Sequence, residues 1–305
     1  MSNYEGVLPV MKPAGFTSHD VVAKARRILG MKRIGHTGTL DPQVTGVLPL
    51  CLGRATRVVE YMQELPKEYH ATVRLGYATD TEDATGTITE QVDKASVSKQ
   101  QVLDVMATFV GTISQVPPMY SALKIDGKRL YELAREGKTV ERKSREVTIY
   151  ELEMTGFDDS GAYPEISFRV LCSKGTYIRT LCVDIGRSLG YPSVMLKLER
   201  TMSAGIPLGR CLTFEEIQRC VDEGTLNSYL ISADQAVSHL PAHTVHSSKA
   251  AAALQGQRLS GAVVEPRVED SGLIRLYRED GIFLGLYSRE EDSGAVVPVK
   301  VFLPE

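Results

Sequence analysis

The chain has 305 residues, 43% of them hydrophobic and 24% charged, with a formal net charge of −3. That composition is ordinary for a globular protein with a sizeable core, and the length suits two domains or one domain with an appendage. No stretch approaches the ~20 apolar residues that span a bilayer, the N-terminus lacks a basic segment followed by an apolar run, and five cysteines without a C-x-x-C pair predict reduced thiols in a cytoplasmic protein with no zinc ribbon.

The residues from Thr17 to Gly30 read as a helix. Thr17 with Asp20 forms a capping-box-like start, Val21, Val22, Ala25, Ile28 and Leu29 make one apolar face, and Gly30 stops it. Next comes GHTGTLDPQVTG, Gly35 to Gly46, where Gly35, Gly38, Pro42 and Gly46 break any helical or strand period and force a shaped loop around Asp41 and His36. On residue types alone two readings stand side by side: an Asx turn in which Asp41 satisfies nearby backbone N–H groups, and a carboxylate aimed at a ligand.

Ser98, with Gln101 at the capping position, starts a second helix predicted to run through Val102, Met106, Phe109 and Val110 to Gly111. Residues 115–147 read as an insertion, basic and amphipathic, with a short helix near Arg129 to Glu136, suited to close over a ligand. Glu165 to Cys172 alternates as a half-buried strand and leads through Lys174-Gly175 into helical spacing from Tyr177 to Gly190, which places Arg179 in a first helical turn. Thr213 with Glu216 caps a further helix ending near Gly224. Beyond it, a short helix at Lys249 to Leu254 precedes apolar runs at 273–277, 282–287 and 296–302, with a hairpin turn at Asp280-Gly281. Strands and helices mix without regular βαβ alternation, so the predicted class is α+β.

Charge is spread unevenly. Eight basic residues face only two acidic ones between Lys12 and Arg57, eight face five between Ala122 and Glu146, and five face nine from Gly261 to Glu305. The basic excess therefore flanks the loop around Asp41, which suits either a nucleic-acid-binding surface or a solvated charged face.

The text GHTGTLDP followed by GVLPLCLGRATRV resembles the catalytic motif of the TruB family of tRNA pseudouridine synthases. Further blocks match in order: KPAGFTSHDVV from Lys12, KEYHATVRLG from Lys67, SKGTYIRTL from Ser173 and LKLER from Leu196. Met11 and Val44 depart from the family pattern, where an Asp and an Ala are usual; neither change touches a chemical group. The resemblance implies a pseudouridine synthase domain over residues 1–237, with a mixed or antiparallel sheet and the insertion as a thumb, and a small β-rich PUA-like domain over 238–305. It implies isomerisation of the tRNA T-loop uridine, position 55, on a flipped-out base. No metal, organic cofactor or guide RNA is implied.

Asp41 is then the catalytic carboxylate, and Arg179 is the permanent positive partner that keeps it ionised through a planar two-point clamp. Tyr69 would stack on the flipped base and offer its phenol to a proton, His36 would stack within the RNA loop, and Leu198 would wall the pocket. Lys12, Tyr177, Lys128 and Arg129 are expected on the substrate side. Elsewhere, His239, His243 and His246 lack partners at metal-ligand spacing, the Asp80–Asp83 cluster does not fit a calcium loop, and no phosphate-binding glycine motif or hydrolase nucleophile motif occurs. A guide-RNA-dependent relative, a tRNA chaperone and an N-glycoside hydrolase built on Asp41 are the rival readings.

Overall fold

The computed structural model describes residues 4–303, except 122, 126 and 139 and the side chains of 124, 125 and 129. In chain order the first elements are β1 (Gly6–Lys12), α1 (Ser18–Leu29), β2 (Ile34–His36), β3 (Thr45–Leu52), α2 (Val59–Glu64) and β4 (Lys67–Leu75). A small hairpin, β5 (Tyr77–Thr79) with β6 (Ile88–Gln91), leads to α3 (Lys99–Ala107) and β7 (Gly111–Gln115). The insertion carries β8 (Lys124–Ile125), β9 (Lys128–Arg129) and α4 (Leu130–Arg135), and the chain returns in β10 (Arg145–Asp158), β11 (Glu165–Cys172), α5 (Ile178–Ser188), β12 (Ser193–Ser203), β13 (Ile206–Pro207) and α6 (Phe214–Asp222). The last part holds β14 (Ala242–Val245), α7 (Ser247–Leu254), β15 (Val264–Glu265), β16 (Leu273–Arg278), β17 (Phe283–Arg289) and β18 (Val296–Val301).

The main sheet runs β1-β3-β12-β4-β11-β10-β7, with β2 added on β3 and β13 on β12. Only the β12–β3 pair is parallel, so the sheet is mixed, as the α+β reading expected. That parallel pair needs a close approach. Gly46 lies opposite Arg200 with φ +109, and a side chain there would strike the Arg200 backbone.

Burial follows the alternation of each strand. β4 puts Tyr69, Ala71, Val73 and Leu75 into the core under α3 and α5, and turns His70 to the other face. β1 and β3 are instead buried on both faces, which is why they read as unbroken apolar runs. Leu8, Val10, Leu48 and Leu50 pack against α1 and α6, while Val7, Val47 and Cys51 pack on the opposite side with Leu286 of the second sheet and Phe302 just after it. That second sheet, order β15-β14-β16-β17-β18, encloses its own apolar core around Leu276, Leu284 and Tyr287.

The three capping boxes form as read, at Thr17/Asp20, Ser98/Gln101 and Thr213/Glu216. One boundary is corrected. The helix starting after Ser98 ends at Ala107, not Gly111, because Gly111 adopts φ +107 and opens β7. Phe109 continues the apolar face without being helical; it packs on the same core from a turn. No helix of the described residues is long and apolar enough to cross a membrane.

Candidate active site

The loop between β2 and β3 hangs from buried anchors. Leu40 and Val44 pack in the core, the Ser18 hydroxyl accepts the Leu40 N–H at 2.9 Å, and Gly15 donates to the Pro42 carbonyl at 2.9 Å. Beneath the turn, the fully buried Lys12 ammonium donates to the carbonyls of Pro13, Pro42 and Val44 at 3.1, 2.9 and 2.6 Å. An ammonium has three donors, and here all three are used. The Asp41 backbone carbonyl takes the Val44 N–H at 3.1 Å. Its side chain, between the two anchors, is left to point into the cleft.

There the Asp41 carboxylate meets Arg179, with Nη2 to Oδ2 at 3.0 Å. The Arg179 side chain is only 6% exposed, against 42% for Asp41, so the cation is sunk in protein and the carboxylate is presented. The guanidinium also donates from Nη1 to the Thr81 carbonyl at 3.0 Å and from Nη2 to the Tyr120 carbonyl at 2.7 Å. Burial pushes the Asp41 carboxyl above the ordinary carboxylate range; Arg179 and Lys12 pull it back, and Asp83 pushes it further up. The resulting group is a carboxylate whose ionisation rests on two buried cations.

Asp41 opens on a cleft of about 870 Å³, walled on one side by Leu198 and Met195 of β12 and on another by Asp83 and Ala84. That volume accommodates a nucleoside-sized group. The 81–84 segment docks on β12 through Met195 N to Glu82 O and Ala84 N to Met195 O, both 3.1 Å.

A model of the TruB family pseudouridylate synthase N-terminal domain matches residues 26–178, the tRNA pseudouridylate synthase B C-terminal domain matches 179–238, and the pseudouridine synthase II TruB C-terminal model matches 241–302. A tRNA pseudouridine synthase B of Bacillus licheniformis is 44% identical over 303 residues, covering 98% of each chain. The chain belongs to the TruB family of pseudouridylate synthases. A second tRNA pseudouridine synthase B, from Geobacillus kaustophilus, is 50% identical over 79% of this chain and 86% of its own. Among solved structures, a chain of a Cbf5-Nop10-Gar1 complex superposes with TM-score 0.77 at 29% identity, over 98% of this chain and 85% of that one. One from an H/ACA RNP bound to a substrate RNA containing 2′-deoxyuridine gives 0.75 at 27%, over 98% and 85%.

Within this TruB-family fold the structure brings Asp41, Arg179 and Leu198 together. Lys12 and Tyr69 also lie near Asp41, but both are buried. Lys12, expected on the substrate side, is buried with every donor spent on the loop, so it supports Asp41 from below; burial lowers its pKa to about 8. Tyr69 is 7% exposed and is part of the core under the loop; burial pushes its phenol up, and the nearby Arg200 pulls it back. Its ring does not stand free for a base in this conformation. The two-point clamp is also corrected: one guanidinium N–H reaches Asp41, and the remaining bonds go to backbone carbonyls.

His36 is half-buried, accepts the Gly38 N–H on Nδ1 at 3.3 Å, and meets His19 edge to face at 5.6 Å. Burial, followed by His19, lowers its pKa, and a neutral ring that accepts on Nδ1 carries its proton on Nε2. Tyr177 caps α5 and lies 4.7 Å under the Arg145 guanidinium. Lys128 stands exposed on the insertion, 3.6 Å from Glu136, and the Arg129 side chain lies outside the described residues. Among the described residues, no cluster of three or more His, Cys, Asp or Glu is spaced to hold a metal.

Two site residues carried no assignment from sequence. Arg200, in the LKLER block, is 1% exposed and donates to the Val47 carbonyl at 2.7 Å and Gly38 carbonyl at 3.4 Å. Its signal was an unassigned arginine in a matching block. In the sequence, Asp83 stands out only as part of an acidic cluster that does not fit a calcium loop. It is held instead by Thr81 and Thr85 beside Asp41.

Proposed function

We propose that this chain isomerises uridine to pseudouridine in tRNA, at position 55 of the T-loop, as a stand-alone enzyme of the cytoplasm with Asp41 as the catalytic carboxylate. The observation that carries the reading is the ion pair between a sunken Arg179 and a presented Asp41 that lines a cleft large enough for a nucleoside. The reaction breaks the N1–C1′ bond, turns the base and joins C5 to C1′; the C5 proton is lost, N1 gains one, and base mass is retained. Whether Asp41 attacks the ribose or removes a ribose proton, it must be ionised in a site that excludes water, which is what a buried fixed cation supplies.

The two sheets support a division into a catalytic unit over residues 1–237 and a PUA-like unit over 238–305. The stand-alone reading rests on identities of 44 and 50% to proteins named tRNA pseudouridine synthase B, against 27 and 29% to chains from the two multi-component assemblies. The basic stretch needs revision. Lys12 is internal, and Arg54 and Arg57 donate to the carbonyls of Leu303 and Val301, so the exposed α1 end at Arg26, Arg27, Lys32 and Arg33 is the stronger phosphate-binding face.

Incubation with an unmodified tRNA transcript, followed by carbodiimide mapping, tests the proposal. A single modified uridine in the T-loop with no free base is expected. Released uracil would favour the hydrolase reading, and modification only with an added guide RNA would favour the ribonucleoprotein form.

A further inference from the structure

Helix α5 delivers Arg179 from its first turn, yet its N-cap residue, Tyr177, makes no side-chain cap. The missing partner comes from the edge strand. Gln115, fully buried at the end of β7, accepts the Tyr177 N–H on Oε1 at 3.0 Å and donates from Nε2 to the Tyr177 carbonyl at 3.2 Å. The carboxamide thus pairs with the Tyr177 peptide as a neighbouring strand would. The Tyr177 carbonyl also takes the first α5 hydrogen bond, from Leu181 N–H at 3.0 Å, so the pair and the helix share an atom.

Gln115 is also where the insertion begins. Its cross-strand partner is Arg145, where the insertion ends, and Arg145 covers the Tyr177 ring at 4.7 Å. Five residues past Gln115, the Tyr120 carbonyl receives Arg179 Nη2 at 2.7 Å. Both stems of the insertion therefore grip Tyr177, and one of them continues to the guanidinium itself. Arg179 is held at its backbone by Gln115 and at its tip by the segment that Gln115 starts.

We propose that Gln115 is a positioning residue that sets Arg179 against Asp41 through the backbone of Tyr177. The inference rests on the proposed function, because the rate it controls is that of tRNA isomerisation. A displacement of the helix start by a fraction of an ångström moves Nη2 relative to the carboxylate, while the surface that meets phosphates is unchanged.

The test uses the full chain with tRNA and two variants: Gln115→Met, which keeps the length and loses both hydrogen bonds, and Gln115→Glu, which keeps the acceptor and sets an oxygen against the Tyr177 carbonyl. Single-turnover rates, filter-binding affinity and the acid limb of the rate profile are measured. Both variants are expected to lose on the order of tenfold or more in rate, with affinity within about twofold. The acid limb should move upward, because Asp41 is faced by Arg179, Lys12 and Asp83, and loosening Arg179 weakens the main cation lowering its pKa. Rates near wild type in both variants would overturn the proposal. So would rate and affinity falling together with the acid limb unmoved, the pattern of general loosening. Wild-type protein run alongside separates the two claims: an inactive wild type overturns the proposed function and the inference with it, whereas an active one leaves only Gln115 at issue.

Discussion

The Asp41 cleft and the C-terminal sheet handle charge in opposite ways. Around the cleft, Lys12, Lys67, Arg179 and Arg200 are 0, 8, 5 and 1% exposed, and most of their bonds go to backbone carbonyls. In the C-terminal sheet the core is apolar, and the ion pairs Arg278–Asp280 and Arg258–Glu290 lie at the surface. Sinking a cation costs several kcal/mol unless it is well bonded, whereas exposed pairs contribute little. A fold that needed only stability would fill the first region as it fills the second. Four buried cations, two of them acting directly on one presented carboxylate, mark where stability has been given up for chemistry.

The comparison breaks first at Arg179. Arg179→Lys should slow single-turnover pseudouridine formation by roughly a hundredfold, since one ammonium cannot serve Asp41, Thr81 and Tyr120 with the same geometry. A near-normal rate would remove Arg179 from its role.

A stability contrast comes next. Lys12→Met removes the donor that the buried Val44 carbonyl receives at 2.6 Å, leaves Pro42 with its Gly15 N–H alone, and should cost about 1–3 kcal/mol in urea unfolding, whereas Arg278→Ala should leave the midpoint where it was. Equal effects would erase the distinction between the regions.

The same contrast has a pH signature. Burial lowers Lys67 to about 8 from an ordinary 10.5. Below pH 8 both folded and unfolded chains carry the proton and the full cost of burying the charge is present; above it the folded chain sheds the proton first, so stability rises with pH. The stability of wild type relative to Lys67→Met should therefore climb between pH 7.5 and 9, with a slope of at most about 1.4 kcal/mol per pH unit. A flat or falling difference would show that Lys67 is not held as a buried cation.

The smallest effect concerns RNA. Lys128→Glu should lower tRNA affinity and flatten its salt dependence by about one unit, and Arg278→Glu should leave the slope as it is. A larger change from Arg278→Glu would move the RNA face to the C-terminal sheet.

Local signals were legible in the sequence. Thr17 with Asp20 is a capping box because the bonding partners lie three residues apart, and the alternation of Glu165 to Cys172 became β11 without a shift. Asp41 and Arg179 were legible only through the family resemblance, since neither their proximity nor their burial follows from residue type. What stayed hidden depends on contacts far along the chain. Lys12 looked like a surface cation because its carbonyl partners lie 30 and 32 residues away. Arg54 and Arg57 counted as RNA-facing until β18 and its tail came to rest on them. Gln115 is an uncharged residue in a Pro-rich stretch, and nothing in its neighbourhood marks the peptide it pairs with 62 residues later.

The central claim is that Asp41 carries the chemistry while other surfaces carry the RNA. Asp41→Asn keeps the shape of the side chain and removes its charge, and tRNA binding and single-turnover pseudouridine formation measured on that one variant test the claim directly. The account predicts affinity within a few-fold of wild type and no detectable product. Turnover within tenfold of wild type would contradict it.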